Sequence, residues 1–212
     1  MNRPDQMTDL YDAIGKLAAA AHANGDEIDE NVFPDDPGND RHGLDISSNG
    51  QYIRLRDVPN EPRFDIESPF AFSPRLQNRY TPEELSERAD VDFPSLSEDR
   101  QEAVIESVLR ADLEAAQEHE ADFEAAFQEE LDPVDMEVLR LTYGDENLWN
   151  GIVVRDRLFP YEESFGTAEY RRVVRRVRSL AIDVGQLLVE TVPPLNGDHD
   201  QSKRTEAIIG FQ

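Results

Sequence analysis

Cysteine is absent from this sequence of 212 residues, and lysine occurs only at Lys16 and Lys203. A chain without cysteine has no disulfide, no thiolate metal site and no cysteine nucleophile. The sequence also lacks the run of about 18 apolar residues that a transmembrane helix needs. Its opening segment, MNRPDQMTDL, does not have the pattern of a signal peptide. We therefore expect a soluble, cytoplasmic protein without a membrane partner.

Positive charge is scarce as well. The sequence has 46 Asp and Glu residues against 21 Lys and Arg residues, and its formal net charge is −25. Such a surface repels itself in dilute buffer, whereas in molar salt the Debye length falls to about 3 Å and the repulsion is screened. The composition is typical of a cytoplasmic protein of an extreme halophile; an acidic interaction protein from an ordinary cell is the alternative. In so acidic a chain, two neighbouring carboxylates do not indicate a catalytic pair.

Motifs of known catalytic and cofactor sites are also missing. The sequence has no P-loop, no glycine-rich dinucleotide motif, no GxSxG and no HExxH. Its four histidines are isolated in the sequence, without a second histidine at ligand spacing. The segment from Asp35 to Asp40 is rich in oxygen ligands but lacks the spacing of a calcium loop, so we interpret it as a solvated loop. We assign no catalytic residue, no metal and no cofactor, and expect a protein that is not an enzyme.

The strongest periodic pattern lies between Thr167 and Glu190. Apolar residues recur there at steps of three and four, which predicts a helix with one continuous apolar face. Pro193 and Pro194 end the pattern. The members of this face are Tyr170, Val173, Val174, Val177, Leu180, Ala181, Val184, Leu187 and Leu188.

The first half of the chain reads as a helix followed by strands. An amphipathic pattern begins at Thr8 and ends at Asn24-Gly25, and a brief strand could follow at residues 28–33. Alternating apolar runs then flank Asn49-Gly50, which is the strongest short-range signal of a β-hairpin. A third run at residues 64–68 completes a predicted three-stranded meander.

The second half begins with a long acidic helical segment at residues 97–130. A straight helix of that length would reach about 50 Å, so we expect a break near His119 or a protruding arm. Residues 136–143 suit a strand or a helix, and residues 148–159 are rich in β-branched side chains and resemble a strand. We favour a second hairpin over a pair of helices.

These elements predict an α+β fold in the order α-βββ-α-ββ-α. An antiparallel sheet of about five strands, three plus two, is backed by helices, of which the one at 167–190 is the main one. We expect a disordered N-terminus at residues 1–7, a single domain at residues 8–192 and a flexible tail at residues 193–212.

The element order resembles the type III secretion chaperone-like, YbjN-like fold. The resemblance is carried by NGQYIRLRDV in the first half and by GIVVRDRLFP followed by FGTAEYRRVVRRVRSLAIDVGQLL in the second. It implies a chaperone-like, protein-binding role, commonly as a homodimer, and no catalytic residues. We expect a protein or peptide partner on this basis.

A second resemblance points to a different function. LDPVDMEVLRLTYG at 131–144 and TAEYRRVVRRVRSLA at 167–181 are similar to the helix-turn-helix of sigma factor region 4. That resemblance implies a DNA-binding regulator in which Arg171, Arg172, Arg175 and Arg176 contact phosphates or bases. The turn would be longer than usual, since residues 159–166 separate the two segments. Nucleic acid is therefore the less favoured partner.

Two groups of side chains are candidates for partner binding. The first is a cluster of five arginines, which either neutralise acidic segments of the same molecule or bind an anionic peptide or nucleic acid: Arg171, Arg172, Arg175, Arg176 and Arg178. The second is a set of aromatic residues, which either anchor the core and loops or line an apolar binding groove: Phe70, Phe72, Tyr80 and Trp149.

Overall fold

Six α-helices and six β-strands build the fold, and the computed structural model describes residues 6–32, 41–131 and 136–195. In chain order they are α1 (Gln6–Asn24), β1 (Glu27–Val32), β2 (Gly43–Ser48), β3 (Gln51–Asp57), β4 (Phe64–Ala71), α2 (Ser73–Gln77), α3 (Pro82–Ala89), α4 (Glu98–Gln117), α5 (Glu120–Glu130), β5 (Glu137–Tyr143), β6 (Leu148–Leu158) and α6 (Thr167–Thr191). Short 3₁₀ turns occur at Phe93–Ser95 and Pro193–Leu195.

The strands form one open antiparallel sheet in the order β1-β2-β3-β4-β6-β5. The predicted α+β class and the antiparallel sheet backed by helices are confirmed. The sheet has six strands rather than about five, because the brief segment near residues 28–33 pairs with β2 as an edge strand. Pairing of β4 with β6 joins the two halves of the chain into this single sheet.

Both predicted hairpins are present. At the turn between β2 and β3, Asn49 has a φ of 50° and Gly50 a φ of 78°. A two-residue type I′ turn requires positive φ at both positions, which asparagine and glycine adopt most readily. Strands β5 and β6 form the second hairpin, so residues 136–158 are not a pair of helices.

The two long helical predictions are also confirmed. The acidic segment 97–130 divides at His119 into α4 and α5, which is the predicted break. Helix α6 extends from Thr167 to Thr191, and every residue of its predicted apolar face is buried.

A single layer of helices covers one face of the sheet. The alternating apolar residues of the central strands belong to the same buried cluster as apolar residues of α1, α4, α5 and α6. Those strand residues are Leu44, Ile46, Ile53, Leu55, Phe64, Ile66, Ile152, Val154 and Leu158. A second, smaller cluster joins α3 to α4 through Leu85, Phe93 and Val108. The sheet therefore packs against α6 as predicted.

The opposite face of the sheet carries charges that pair across strands. Arg56 Nη2 on β3 lies 2.6 Å from Asp45 Oδ1 on β2, and Arg155 Nη2 on β6 lies 2.7 Å from Glu67 Oε1 on β4. Asp65 on β4 lies within ion-pair distance of Arg41, Arg63 and Arg155. Arg54 lies on the same strand as Arg56, and its guanidinium lies 5.5 Å from the ring centre of Tyr52.

Some sequence predictions fall partly or wholly outside the described residues. Residues 1–5, the loop that contains Asp35 to Asp40, and residues 196–212 of the predicted tail are among them. Helix α1 begins at Gln6, so the predicted N-terminal disorder does not extend to residues 6 and 7. In the part of the chain that the structure describes, no helix is long and apolar enough to cross a bilayer.

Gly151 allows strands β4 and β6 to approach each other closely. Its φ is 113°, and a Cβ at this position would lie 1.9 Å from the carbonyl oxygen of Phe70. We expect Gly151→Ala to lower the free energy of unfolding by at least about 2 kcal/mol, since the strand must shift and the backbone is strained. Denaturant unfolding in molar KCl measures the change.

Gly15→Ala is the matched control, because a Cβ at Gly15 inside α1 meets no atom within 4 Å. We expect that substitution to raise the free energy of unfolding by about 0.5–1 kcal/mol through helix propensity. Equal effects of the two substitutions would contradict the close approach of the two strands.

Candidate functional site

Three arginines of α6 project from the side of the helix that faces the β2–β3 turn. Arg171, Arg175 and Arg178 follow the spacing i, i+4, i+7, which places them on one face of the helix. They line an open polar cavity of about 280 Å³, which we call the arginine cup. Its lining residues are Asn24, Asn49, Arg171, Val174, Arg175 and Arg178.

The arginines of the cup are positioned by neutral acceptors. Arg171 Nε donates a hydrogen bond of 2.9 Å to the amide oxygen of Asn24. Arg178 Nη1 lies 3.4 Å from the hydroxyl oxygen of Ser48, which is fully buried. Neither contact neutralises the guanidinium. These two contacts therefore orient the guanidiniums without pairing them with an anion.

A buried polar network supports the cup from behind. The side-chain amide of Asn24 donates to both carboxylate oxygens of Asp26, at 3.1 and 3.0 Å. The hydroxyl of Tyr170 donates to Asp26 Oδ2 at 2.9 Å, and both residues are buried. Burial and the adjacent Asp26 carboxylate raise the pKa of Tyr170. The network joins the end of α1 to the first turn of α6 and orients the amide that holds Arg171.

The other two arginines of the cluster behave differently. Arg176 donates from Nε to Asp156 Oδ2 on β6 at 2.9 Å and forms an ion pair with it. The exposed side chain of Arg172 makes no hydrogen bond or ion pair within the described residues and lies outside the cup. Among the described residues, neutralisation within the molecule is therefore seen for Arg176, whereas no carboxylate contacts the three arginines of the cup.

A small apolar cleft of about 40 Å³ adjoins the cup along α6. Its lining residues are Gly50, Gln51, Tyr52, Pro69, Phe70, Arg75, Ala181, Ile182 and Gly185. Consecutive turn residues, Asn49 and Gly50, line the cup and the cleft respectively. We call the cup and the cleft together the α6 groove.

Phe70 is the aromatic wall of the cleft. The guanidinium of Arg75 lies 4.2 Å from its ring centre, and a Cβ at Gly185 would lie 2.9 Å from its Cε2 atom. Burial lowers the pKa of Arg75. Ile182, at 36% exposure, is one of the most exposed large apolar side chains of the described residues. The cleft therefore presents apolar surface to solvent beside the cationic cup.

The remaining aromatic candidates do not line the groove. Phe72 and Trp149 are 0% and 1% exposed, and their rings pack edge to face at 4.9 Å in the main core. They cannot contact a partner from that position, which corrects their assignment as binding residues. Phe72 and Trp149 are therefore core anchors, which was the alternative interpretation of the aromatic residues.

Tyr80 belongs to the contact between α3 and α4. Its hydroxyl donates to Asp112 Oδ2 at 2.6 Å, and Arg88 Nη1 donates to Asp112 Oδ1 at 2.7 Å. The guanidinium of Arg88 also lies 4.3 Å from the Tyr80 ring centre. Burial, together with the hydrogen bond to Asp112, raises the pKa of Tyr80 to about 12. Tyr80 therefore contributes to helix packing rather than to the groove.

The helix-turn-helix interpretation does not agree with the structure. Residues 137–143 and 148–158, where it requires helices, form β5 and β6. Arg176, one of its expected DNA contacts, is engaged with Asp156. The geometry that the sigma-like resemblance implies is therefore not present.

Sequence analysis missed several residues of the groove. Asn24, Ser48 and Asn49 gave only turn or helix-end signals, and Ile182 lies outside the apolar stripe of α6. The spacing of the arginines at i, i+4 and i+7 was the available signal that these cations share a face. In the described part of the chain, no group of three or more His, Asp or Glu side chains is arranged to hold a metal ion.

The raised pKa of Tyr80 predicts a pH effect at high pH. The folded pKa of about 12 lies above the unfolded value of about 10, so the fold favours the neutral phenol. This stabilisation is complete below pH 10 and is lost as the pH rises to about 12. We expect the free energy of unfolding to fall less steeply over this range in Tyr80→Phe than in the wild type. Urea unfolding at a series of pH values measures how the free energy of unfolding changes with pH in both proteins. Identical slopes would contradict the raised pKa of Tyr80.

No protein-family model matches this chain, and no curated protein matches it. A solved structure described as an uncharacterized protein from Methanothermobacter thermautotrophicus is similar to it, with a TM-score of 0.49 and 11% sequence identity. The similarity covers 84% of this chain and 97% of that one.

Proposed function

We propose that this chain is a non-enzymatic, chaperone-like protein-binding module whose α6 groove holds a short segment of a partner protein. The segment combines an acidic side chain, which enters the arginine cup, with an apolar side chain, which enters the cleft beside Phe70 and Ile182. The supporting observation is that Arg171, Arg175 and Arg178 contact no carboxylate within the described residues.

That observation stands out because carboxylates are so abundant in this protein. Acidic residues outnumber basic ones by 46 to 21. Ion pairs with carboxylates engage nine other arginines: Arg41, Arg56, Arg63, Arg88, Arg110, Arg140, Arg155, Arg157 and Arg176. Three adjacent guanidiniums repel one another, and an incoming anion relieves that repulsion. An external acidic group is therefore the ligand that the cup suits.

The groove also suggests how the ligand is arranged. The centres of the cup and the cleft are separated by about eight residues of α6, or about 12 Å at a rise of about 1.5 Å per residue. An extended peptide spans that distance in three or four residues. The acidic and apolar side chains of the partner segment are thus expected at that spacing.

The cellular setting belongs to the same proposal. A net charge of −25 and a sequence pI of 4.3 suit the cytoplasm of a cell that accumulates salt. A Debye length of about 3 Å there screens the acidic surface from an acidic partner, while direct hydrogen bonds in the cup persist. A homodimer remains a prediction from the chaperone-like resemblance.

Fluorescent nonapeptides test the proposal directly. Each carries two adjacent Asp residues and one Ile, separated by a variable number of Gly residues, and binding is followed by anisotropy in molar KCl. We expect the tightest binding at a separation of three or four positions. Ile182→Asp should weaken that binding by about tenfold or more, through lost apolar contact and added repulsion.

Val91→Asp is the matched control, since Val91 and Ile182 are both 36% exposed and Val91 does not line the groove. We expect Val91→Asp to change the affinity by less than about twofold. Equal weakening by the two substitutions, or binding that ignores the separation, would contradict the proposal.

A further inference from the structure

The arginine cup offers more hydrogen-bond donors than a carboxylate accepts. A guanidinium has five N–H donors, and one donor of Arg171 and one of Arg178 are engaged, with Asn24 and Ser48. Arg175 also lines the cup and has no hydrogen bond or ion pair within the described residues. A carboxylate has two acceptor oxygens, whereas a phosphoryl group has three and carries nearly two negative charges at neutral pH.

We propose that the cup is a subsite for a phosphoryl group, and that the group is carried by a phosphorylated serine or threonine in the partner segment. This inference rests on the proposed function, because it specifies the anionic residue of that segment. Planar guanidiniums bind phosphate through paired N–H donors, and the three acceptor oxygens of a phosphoryl group can engage more than one guanidinium.

Neutral acceptors hold two of the three arginines of the cup. Arg171 and Arg178 are restrained by an amide oxygen and a hydroxyl oxygen, which orient a guanidinium without neutralising it. The amide of Asn24 is itself fixed by Asp26, which also accepts from the buried Tyr170 hydroxyl. Arg171 and Arg178 therefore need little reordering when an anion arrives, whereas Arg175 has no such restraint among the described residues.

The adjacent cleft favours a phosphorylated side chain over free phosphate as the ligand. Free phosphate would bind in the cup alone and would make no use of the apolar surface at Phe70 and Ile182. A segment with phosphoserine three or four positions from an aliphatic residue occupies both parts of the groove. Affinity then depends on both side chains and on their separation.

Inorganic phosphate is the first probe, titrated into the full chain in molar KCl at neutral pH. The ¹⁵N signals of the arginine side chains are followed, and those of Arg171, Arg175 and Arg178 are expected to shift and saturate while that of Arg172 does not. Arg175→Gln should weaken phosphate binding by about tenfold or more, whereas Arg172→Gln should change it by less than about twofold. Both side chains are exposed and have no hydrogen bond or ion pair within the described residues, so both variants are expected to fold.

Peptides are the second probe. In the nonapeptide that binds most tightly, one phosphoserine and one Gly replace the two adjacent Asp residues. We expect the phosphopeptide to bind about tenfold more tightly than the Asp peptide, and Arg175→Gln to remove that gain. If the Asp peptide binds as tightly as the phosphopeptide, the phosphoryl inference is overturned and the proposed function stands.

Two other outcomes would overturn the phosphoryl inference. If phosphate saturates the cup but neither peptide binds, the partner-segment source is overturned together with the proposed function, and a small phosphorylated molecule is the ligand class. If phosphate shifts Arg172 as much as Arg175, the cup has no selectivity and the inference is overturned entirely.

Discussion

The packing of the apolar side of α6 against the sheet is the constraint on which the other features depend. Ten residues of this helix are buried, and each large apolar side chain among them contributes about 1.5–3 kcal/mol before the loss of chain entropy. Because that side is fixed, the rotation of the helix is fixed, and the positions of Arg171, Arg175 and Arg178 follow. The core and the arginine cup are two sides of one rigid element.

The charged face of the sheet obeys a different constraint. Asp45, Arg56, Asp65 and Glu67 are all buried, although none of them belongs to an apolar cluster of the described residues. Charges so far removed from water are tolerated only when they are paired, and removing one partner of such a pair costs about 3–5 kcal/mol. Cross-strand pairing therefore specifies the strand register on this face, while apolar packing specifies it on the other.

Much of the fold could be predicted because its signals are local. Each of three signals lies within a short stretch of sequence: the helical period of α6, the Asn49-Gly50 turn, and the polar residues around His119 that interrupt the apolar pattern. Strand β1 was harder to predict, since an acidic edge strand lacks an alternating apolar pattern and is defined by its pairing with β2. The segment that forms β5 suits a helix equally well, and pairing with β6 decides its conformation.

The site was less predictable because its chemistry depends on distant neighbours. Sequence places five arginines close together, but only the fold places Asp156 beside Arg176 and leaves Arg175 without an ion pair among the described residues. Likewise, Phe70 and Phe72 are two residues apart in the chain. Nevertheless, the first lines the groove and the second packs against Trp149 in the core. Composition cannot separate such neighbours, because both are aromatic residues in the same segment.

Helix α6 contributes side chains to both parts of the α6 groove, which limits how the proposed selectivity of the groove can evolve. The cup and the cleft cannot slide relative to each other, since both use side chains of α6 whose rotation the core has fixed. Moving a cation to a new position on the same helix face means relocating it by about one turn, or about 5.4 Å. Ligand preference in such a protein would change in discrete steps, by whole helical turns, rather than by gradual adjustment.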